Sequence, residues 1–132
     1  MSIENTPFLR RVLQADAAMG VAAAVPTIFA AGYLSTLLSL PEGLIFWAGI
    51  ALLPIAAFLV VMARKPVIPV GWLREIVLIN GAWVVASFAL LLSRLVEPNL
   101  LGTAFIVAQA LAVAGFATLQ FGALRGGRQI AA

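Results

Sequence analysis

Three polar side chains interrupt the apolar stretches of this 132-residue chain: Asp16, Asn80 and Gln120. A carboxyl group can carry a proton or hold a cation, and amide groups both donate and accept hydrogen bonds. Inside a membrane such groups normally face the protein interior and are paired, because lipid tails offer them no partners. The three residues therefore form a candidate proton or ligand site.

A purely structural role explains the same residues, and the sequence alone favours it. The charge of Asp16 would then be balanced near the membrane surface by Arg10, Arg11 or Arg74. Asn80 would hydrogen-bond to a neighbouring helix and hold the two helices together.

Three further polar or aromatic residues extend the candidate site. Ser87 lies seven residues after Asn80, and Gln109 lies eleven residues before Gln120, so each pair shares one helix face. Such a face indicates either a hydrated path or hydrogen bonds between helices, and the second is the simpler interpretation. Trp83, one turn after Asn80, either packs in the core or lines a pocket, and packing is the commoner role for an aromatic residue.

Composition excludes several classes of function. The chain is 64% hydrophobic and 10% charged, whereas a soluble domain has about a quarter of its residues charged. It contains no cysteine and no histidine, which removes thiol nucleophiles, thiolate metal sites and the commonest general base. We therefore expect no enzymatic activity, no metal and no cofactor.

Four stretches without charged residues predict the fold. Each is about as long as the roughly 20 apolar residues that cross a bilayer as a helix. We predict an all-α fold, a four-helix transmembrane bundle forming a single domain over residues 1–132. The predicted spans are about 15–39, 44–63, 72–94 and 100–124. The first helix should begin at Pro7 and continue to Ser39 with a kink at Pro26, the second should kink at Pro54, and the last residues should be frayed.

The cations predict the orientation. In a four-span arrangement Arg94 falls on one side of the membrane and every other cation on the opposite side. The positive-inside rule then places both termini in the cytoplasm, and we expect the protein to lie in the bacterial inner membrane. The seven cations on the cytoplasmic side are Arg10, Arg11, Arg64, Lys65, Arg74, Arg125 and Arg128.

Two segments related by a shift of 64 residues suggest an internal repeat. Residues 9–18 align with residues 73–82, which places Asp16 over Asn80 and starts both segments with Leu-Arg. A true repeat would be two helical hairpins entering the membrane from the same side, as in some transporters. Chance similarity between two amphipathic helix starts is the alternative.

Small residues recur every fourth position in the first and last spans. Such stripes allow helices to approach closely. We expect packing within the molecule, with a dimer interface as the alternative. The stripes are Ala23, Thr27, Ala31, Ser35 and Ser39 in the first span, and Ala110, Ala114, Thr118 and Gly122 in the last.

The motifs together resemble a group of short bacterial four-span integral membrane proteins of unassigned function. The resemblance rests on three motifs: Leu9-Arg10-Arg11 followed by Asp16-Ala17, then Asn80-x-x-Trp83-x-x-x-Ser87, and then Gly102 followed by Gln109. It covers most of the chain and ends at a Gly-x-Leu-Arg motif over residues 122–125. The resemblance implies the four-span fold and no particular activity.

Two functions fit the sequence. The first is a non-enzymatic membrane protein that packs with membrane lipid, with a partner protein or with further copies of itself. The second is a small transporter or hydrophobic-ligand binder with a polar site at Asp16, Asn80 and Gln120. The second requires a cavity that touches Asp16. The net charge of +3 is expected to set topology rather than to bind nucleic acid.

Overall fold

The computed structural model describes residues 1–127 and 129–130. It is a bundle of α-helices, which confirms the predicted all-α fold. In this part of the chain, four helices are long and apolar enough to cross a membrane: α1, α3, α4 and α5. The helices are α1 (Pro7–Phe29), α2 (Ala31–Leu38), α3 (Glu42–Arg64), α4 (Val70–Ser93) and α5 (Leu100–Gly126).

The first predicted helix is divided in two. Helix α1 begins as expected, with the Thr6 hydroxyl accepting a hydrogen bond from the Leu9 N–H at 3.2 Å. It continues through Pro26 and stops at Ala30, where φ is −128°. A proline removes one intrahelical hydrogen bond and crowds the preceding turn, and the chain leaves helical geometry one turn later. The prediction of one kinked helix was therefore wrong, whereas α3 does continue through Pro54.

A small antiparallel sheet covers one end of the bundle. Its strands among the described residues are β1 (Ser2–Glu4), β2 (Val67–Pro69) and β3 (Gln129–Ile130), in the order β2-β1-β3. Residues 67–69 lie between two predicted spans and form β2, where no strand was predicted. The last residues were predicted to be frayed, which is wrong for β3. Ile3 and Ile68 are paired and fully buried against the helices, so the strands have their own core contacts. Arg128, Ala131 and Ala132 lie outside the described residues.

Asn5 fastens this sheet to the end of α3. Its side-chain amide donates to the carbonyl oxygens of Ala63 at 3.0 Å and Lys65 at 2.8 Å, and its backbone N–H donates to Pro66 at 3.0 Å. These bonds satisfy carbonyls that a helix end leaves free. The N-terminus, the α3–α4 connection and β3 consequently meet at one end of the bundle, called the sheet end below.

The long helices pack as two pairs. Helix α1 lies along α3, and α4 lies along α5, while contact between α1 and α5 joins the pairs. The starts of α1 and α4 are at the sheet end, as the repeat hypothesis requires. Each follows a strand, and those two strands pair antiparallel.

The small residues of α1 are used within the molecule. A Cβ atom on Gly49 of α3 would collide with the side chain of Thr27 and would lie 2.9 Å from Ile28. Ala110 of α5 is buried as well, but Thr118 and Gly122 are exposed on the outside of the bundle. The close-packing interpretation therefore holds where Thr27 of α1 meets Gly49 of α3, and for only part of α5.

Candidate functional site

The three polar residues from the apolar stretches meet inside the bundle. The Asp16 Oδ2 atom accepts hydrogen bonds from Asn80 Nδ2 at 2.9 Å and from Gln120 Nε2 at 2.7 Å. Asn80 Nδ2 also donates to Gln120 Oε1 at 2.8 Å. This carboxyl–amide cluster links α1, α4 and α5, and it lies in the half of the bundle nearer the sheet end.

Among the described residues, no arginine pairs with Asp16, contrary to the structural interpretation favoured from sequence. In the described part of the chain, the hydrogen-bond partners of Asp16 are the two amides, and Arg10, Arg11 and Arg74 are exposed. Helix geometry explains the difference. Positions five and six residues before Asp16 lie more than 100° away around the helix at about 100° per residue, so Arg10 and Arg11 point to another face.

The cluster leaves two oxygen atoms unused. Within the described residues, neither Asp16 Oδ1 nor Asn80 Oδ1 accepts a hydrogen bond. Among those same residues, the one fully enclosed side-chain N or O atom that lacks a partner is Asn5 Oδ1. The free oxygens of Asp16 and Asn80 therefore keep accessible surface. Gln120 is completely enclosed, with 0% of its surface exposed.

A second cluster joins α4 to α5 farther from the sheet end. The Trp83 indole N–H donates to Gln109 Oε1 at 2.7 Å, and Gln109 Nε2 donates to Ser87 Oγ at 3.0 Å. The Ser87 hydroxyl donates to the Trp83 carbonyl at 2.7 Å, and Gln109 Nε2 also reaches the Ile106 carbonyl at 2.8 Å. We call this the indole–amide cluster.

Both clusters border one cavity of about 430 Å³. The volume is within the range of about 300–1,000 Å³ that is usual for small-molecule sites. Apolar side chains from α1, α2, α3, α4 and α5 form nearly all of its wall. Five of the six sequence-predicted site residues line it: Asp16, Asn80, Trp83, Ser87 and Gln109. Gln120 does not, because it is enclosed behind Asp16 and Asn80.

The cavity is a cleft that reaches the outer face of the bundle between α3 and α4. These helices approach each other near the sheet end, where the Phe58 and Trp72 rings meet edge to face at 6.3 Å. Farther along, the cleft is bordered by Trp47 of α3 and Ala86 of α4, both exposed on the outside. Trp47 has 65% of its surface exposed, so the cleft meets the surface that the membrane would cover.

Sequence reasoning missed most of the apolar wall. Gly20, Ala23 and Thr27 of α1 line the cleft, as do Ala56 of α3 and Ala86 of α4. Their small size leaves the space open. The four-residue spacing of Ala23 and Thr27 was a visible signal, but it was interpreted as close packing alone. Trp83 lines the cleft, which is the less favoured of the two roles that the sequence allowed.

The contact between Asp16 and Asn80 supports the proposed repeat. These residues are 64 positions apart and are the two that the repeat alignment superposes. The same shift places Ala56 over Gln120. At these equivalent positions, the α4–α5 half has the enclosed amide of Gln120. The α1–α3 half has the methyl group of Ala56, which borders the cleft.

Comparison with protein-family models, with curated proteins and with solved structures found no match to this chain. The fold and composition define a membrane protein with four candidate spanning helices. In the part of the chain that the structure describes, no three residues of the His, Cys, Asp and Glu types come together as a metal site. The arrangement is suited to binding an apolar molecule with one polar end.

Proposed function

We propose that this protein is a non-enzymatic membrane protein that binds an amphipathic small molecule from the bilayer in the cleft between α3 and α4. The observation that supports this function is the 430 Å³ cavity with a polar closed end. Burial of apolar surface offers such a molecule little gain over lipid. Selectivity would therefore come from the polar groups and from shape.

The dimensions of the cleft suit an extended alkyl chain. Lining residues run along α4 from Ile79 to Leu90, a rise of about 16 Å at 1.5 Å per residue. The polar head would lie at the carboxyl–amide cluster, and the tail would pass Trp83 toward the end away from the sheet. Entry between α3 and α4 would require no passage through water.

Filling the cleft should weaken binding. In a single-tryptophan protein (Trp47→Phe with Trp72→Phe), Trp83 would report entry of an alcohol whose alkyl chain is brominated, because bromine quenches indole fluorescence. With the protein in bilayer discs, we expect saturable quenching. Ala86→Phe places a ring in the cleft and should raise the half-saturating probe concentration about tenfold or more.

Ala89→Phe is the matched control for that experiment. Ala89 lies on the same helix and is exposed, but it is not among the residues lining the cleft. The same substitution there should leave quenching as in the parent protein. Quenching that never saturates, or that falls equally in both variants, would contradict a binding function for the cleft.

We further propose that the sheet end faces the cytoplasm of a bacterial inner membrane. Arg10, Arg11, Arg64, Lys65 and Arg74 lie near this end, while Arg94 follows α4 at the other. This asymmetry is what the positive-inside rule describes. Because the chain has no cysteine, single cysteines can be placed without background. In intact cells a membrane-impermeant maleimide should label Glu97→Cys and spare Arg64→Cys, and the opposite pattern would reverse the assignment.

A further inference from the structure

We propose that the cleft selects a head group that donates hydrogen bonds, and that a protonated primary amine is the preferred head. This inference names the ligand class of the site and rests on the binding function proposed above. It follows from the polar atoms that the cleft wall leaves free.

At the closed end, the free polar atoms are acceptors. Asp16 Oδ1 and Asn80 Oδ1 keep accessible surface, whereas the Asn80 amide N–H groups are engaged by Asp16 and Gln120. A carboxylate or phosphate head has only acceptor oxygens, which these oxygens would repel. An ammonium or hydroxyl head would instead supply the hydrogens that they lack.

Farther along the described wall, the side-chain donors of Trp83, Ser87, Gln109 and Thr27 are also engaged. The Trp83 N–H bonds to Gln109, and the Ser87 hydroxyl bonds to the Trp83 carbonyl. The Gln109 amide bonds to Ser87 and to Ile106. The Thr27 hydroxyl donates to the Ala23 carbonyl at 2.7 Å. The exposed indole N–H of Trp47, at the outer border of the cleft, is the one side-chain donor of the described wall without a partner. A bound acceptor therefore finds no free side-chain donor in the part of the wall around the two clusters.

Charge favours an amine over an alcohol. Among the described lining residues, Asp16 is the one with an ionisable side chain, and no lysine or arginine borders the cleft. Charges attract strongly in a site with little water, and a buried carboxylate is costly unless it is paired. A bound ammonium group would provide a positive partner for Asp16, which no arginine or lysine of the described wall supplies.

Probes that share one brominated chain and differ in the head group test this selectivity by Trp83 quenching in the single-tryptophan protein. We expect the primary amine to bind about tenfold or more tightly than the alcohol, and the carboxylate to bind least. A trimethylammonium head has the charge but no N–H, so it should bind more weakly than the primary amine. Equal binding of the amine and the carboxylate would overturn the inference, and equal or tighter binding of the trimethylammonium probe would remove the role of hydrogen-bond donation.

Substitution of the carboxyl group provides a second measurement. Asp16→Asn should bring the ratio of amine to alcohol affinity close to one. Glu75→Gln removes a carboxylate from an exposed position of α4 outside the cleft lining, and it should preserve the ratio. An unchanged ratio in Asp16→Asn, or an equal fall in both variants, would contradict the inference. If none of the probes saturates in the parent protein, the proposed binding function itself fails.

Discussion

Both polar clusters include residues of α4 and α5, but they differ in the hydrogen-bonding atoms that they leave without a partner. In the indole–amide cluster, the Trp83, Ser87 and Gln109 side-chain donors all have partners within the cluster or its own helices. In the carboxyl–amide cluster, Asp16 and Asn80 each have an oxygen with accessible surface and no partner among the described residues. The first cluster is suited to fastening helices, and the second can also bind.

The clusters also differ in the number of helices that they join. The indole–amide cluster joins α4 to α5, which already pack along each other. The carboxyl–amide cluster adds Asp16 of α1 and so connects the two helix pairs. A polar residue inside a membrane protein is therefore informative through its partners. Residue type alone would rank Gln109 and Gln120 as equivalent.

Removing Gln120, the enclosed amide of the carboxyl–amide cluster, should lower the free energy of unfolding more than removing Gln109 of the indole–amide cluster. Gln120→Leu leaves Asn80 Nδ2 without one acceptor and Asp16 Oδ2 without one donor in a closed environment. An unsatisfied buried polar group costs about 1–3 kcal/mol, so we expect the free energy of unfolding in detergent micelles to fall by about 2 kcal/mol. Denaturant unfolding followed by circular dichroism measures this change.

Gln14→Leu is the control for a change from glutamine to leucine. Gln14 is exposed on α1, two residues before Asp16, and its loss should barely change the unfolding free energy. A Gln120→Leu protein as stable as Gln14→Leu would show that the carboxyl–amide cluster does not hold the helix pairs together.

The helices could be predicted from sequence because their signals are local. Charge-free stretches of membrane-spanning length identified four long helices, and the predicted starts at Pro7 and at about residue 100 agree with those of α1 and α5. The sheet could not be predicted in this way. Its strands have two or three residues each and exist because Ile3 and Ile68 are brought together from positions 65 residues apart, a contact that no local pattern encodes.

The site was predictable where helix geometry alone decides it. Asp16, Asn80 and Gln120 were predicted to form one site because each interrupts an apolar stretch, and the structure joins them. Sequence could not give the partner of Asp16, since that depends on how α1 is rotated about its axis. Nor could it give the cleft, because the gap between α3 and α4 depends on packing between distant segments.

Removing Gln109, the amide of the indole–amide cluster, should lower the free energy of unfolding less than removing Gln120. Gln109→Leu removes the acceptor of the Trp83 N–H and one hydrogen bond to Ser87. Side-chain hydrogen bonds between membrane helices average about 0.6 kcal/mol and reach about 1.7 kcal/mol, and we expect a loss of about 1 kcal/mol. Ser87→Ala should cost less, because its own donated bond stays within α4. The same unfolding experiment measures both, and a loss in Gln109→Leu as large as that in Gln120→Leu would show that the two clusters stabilise the bundle equally.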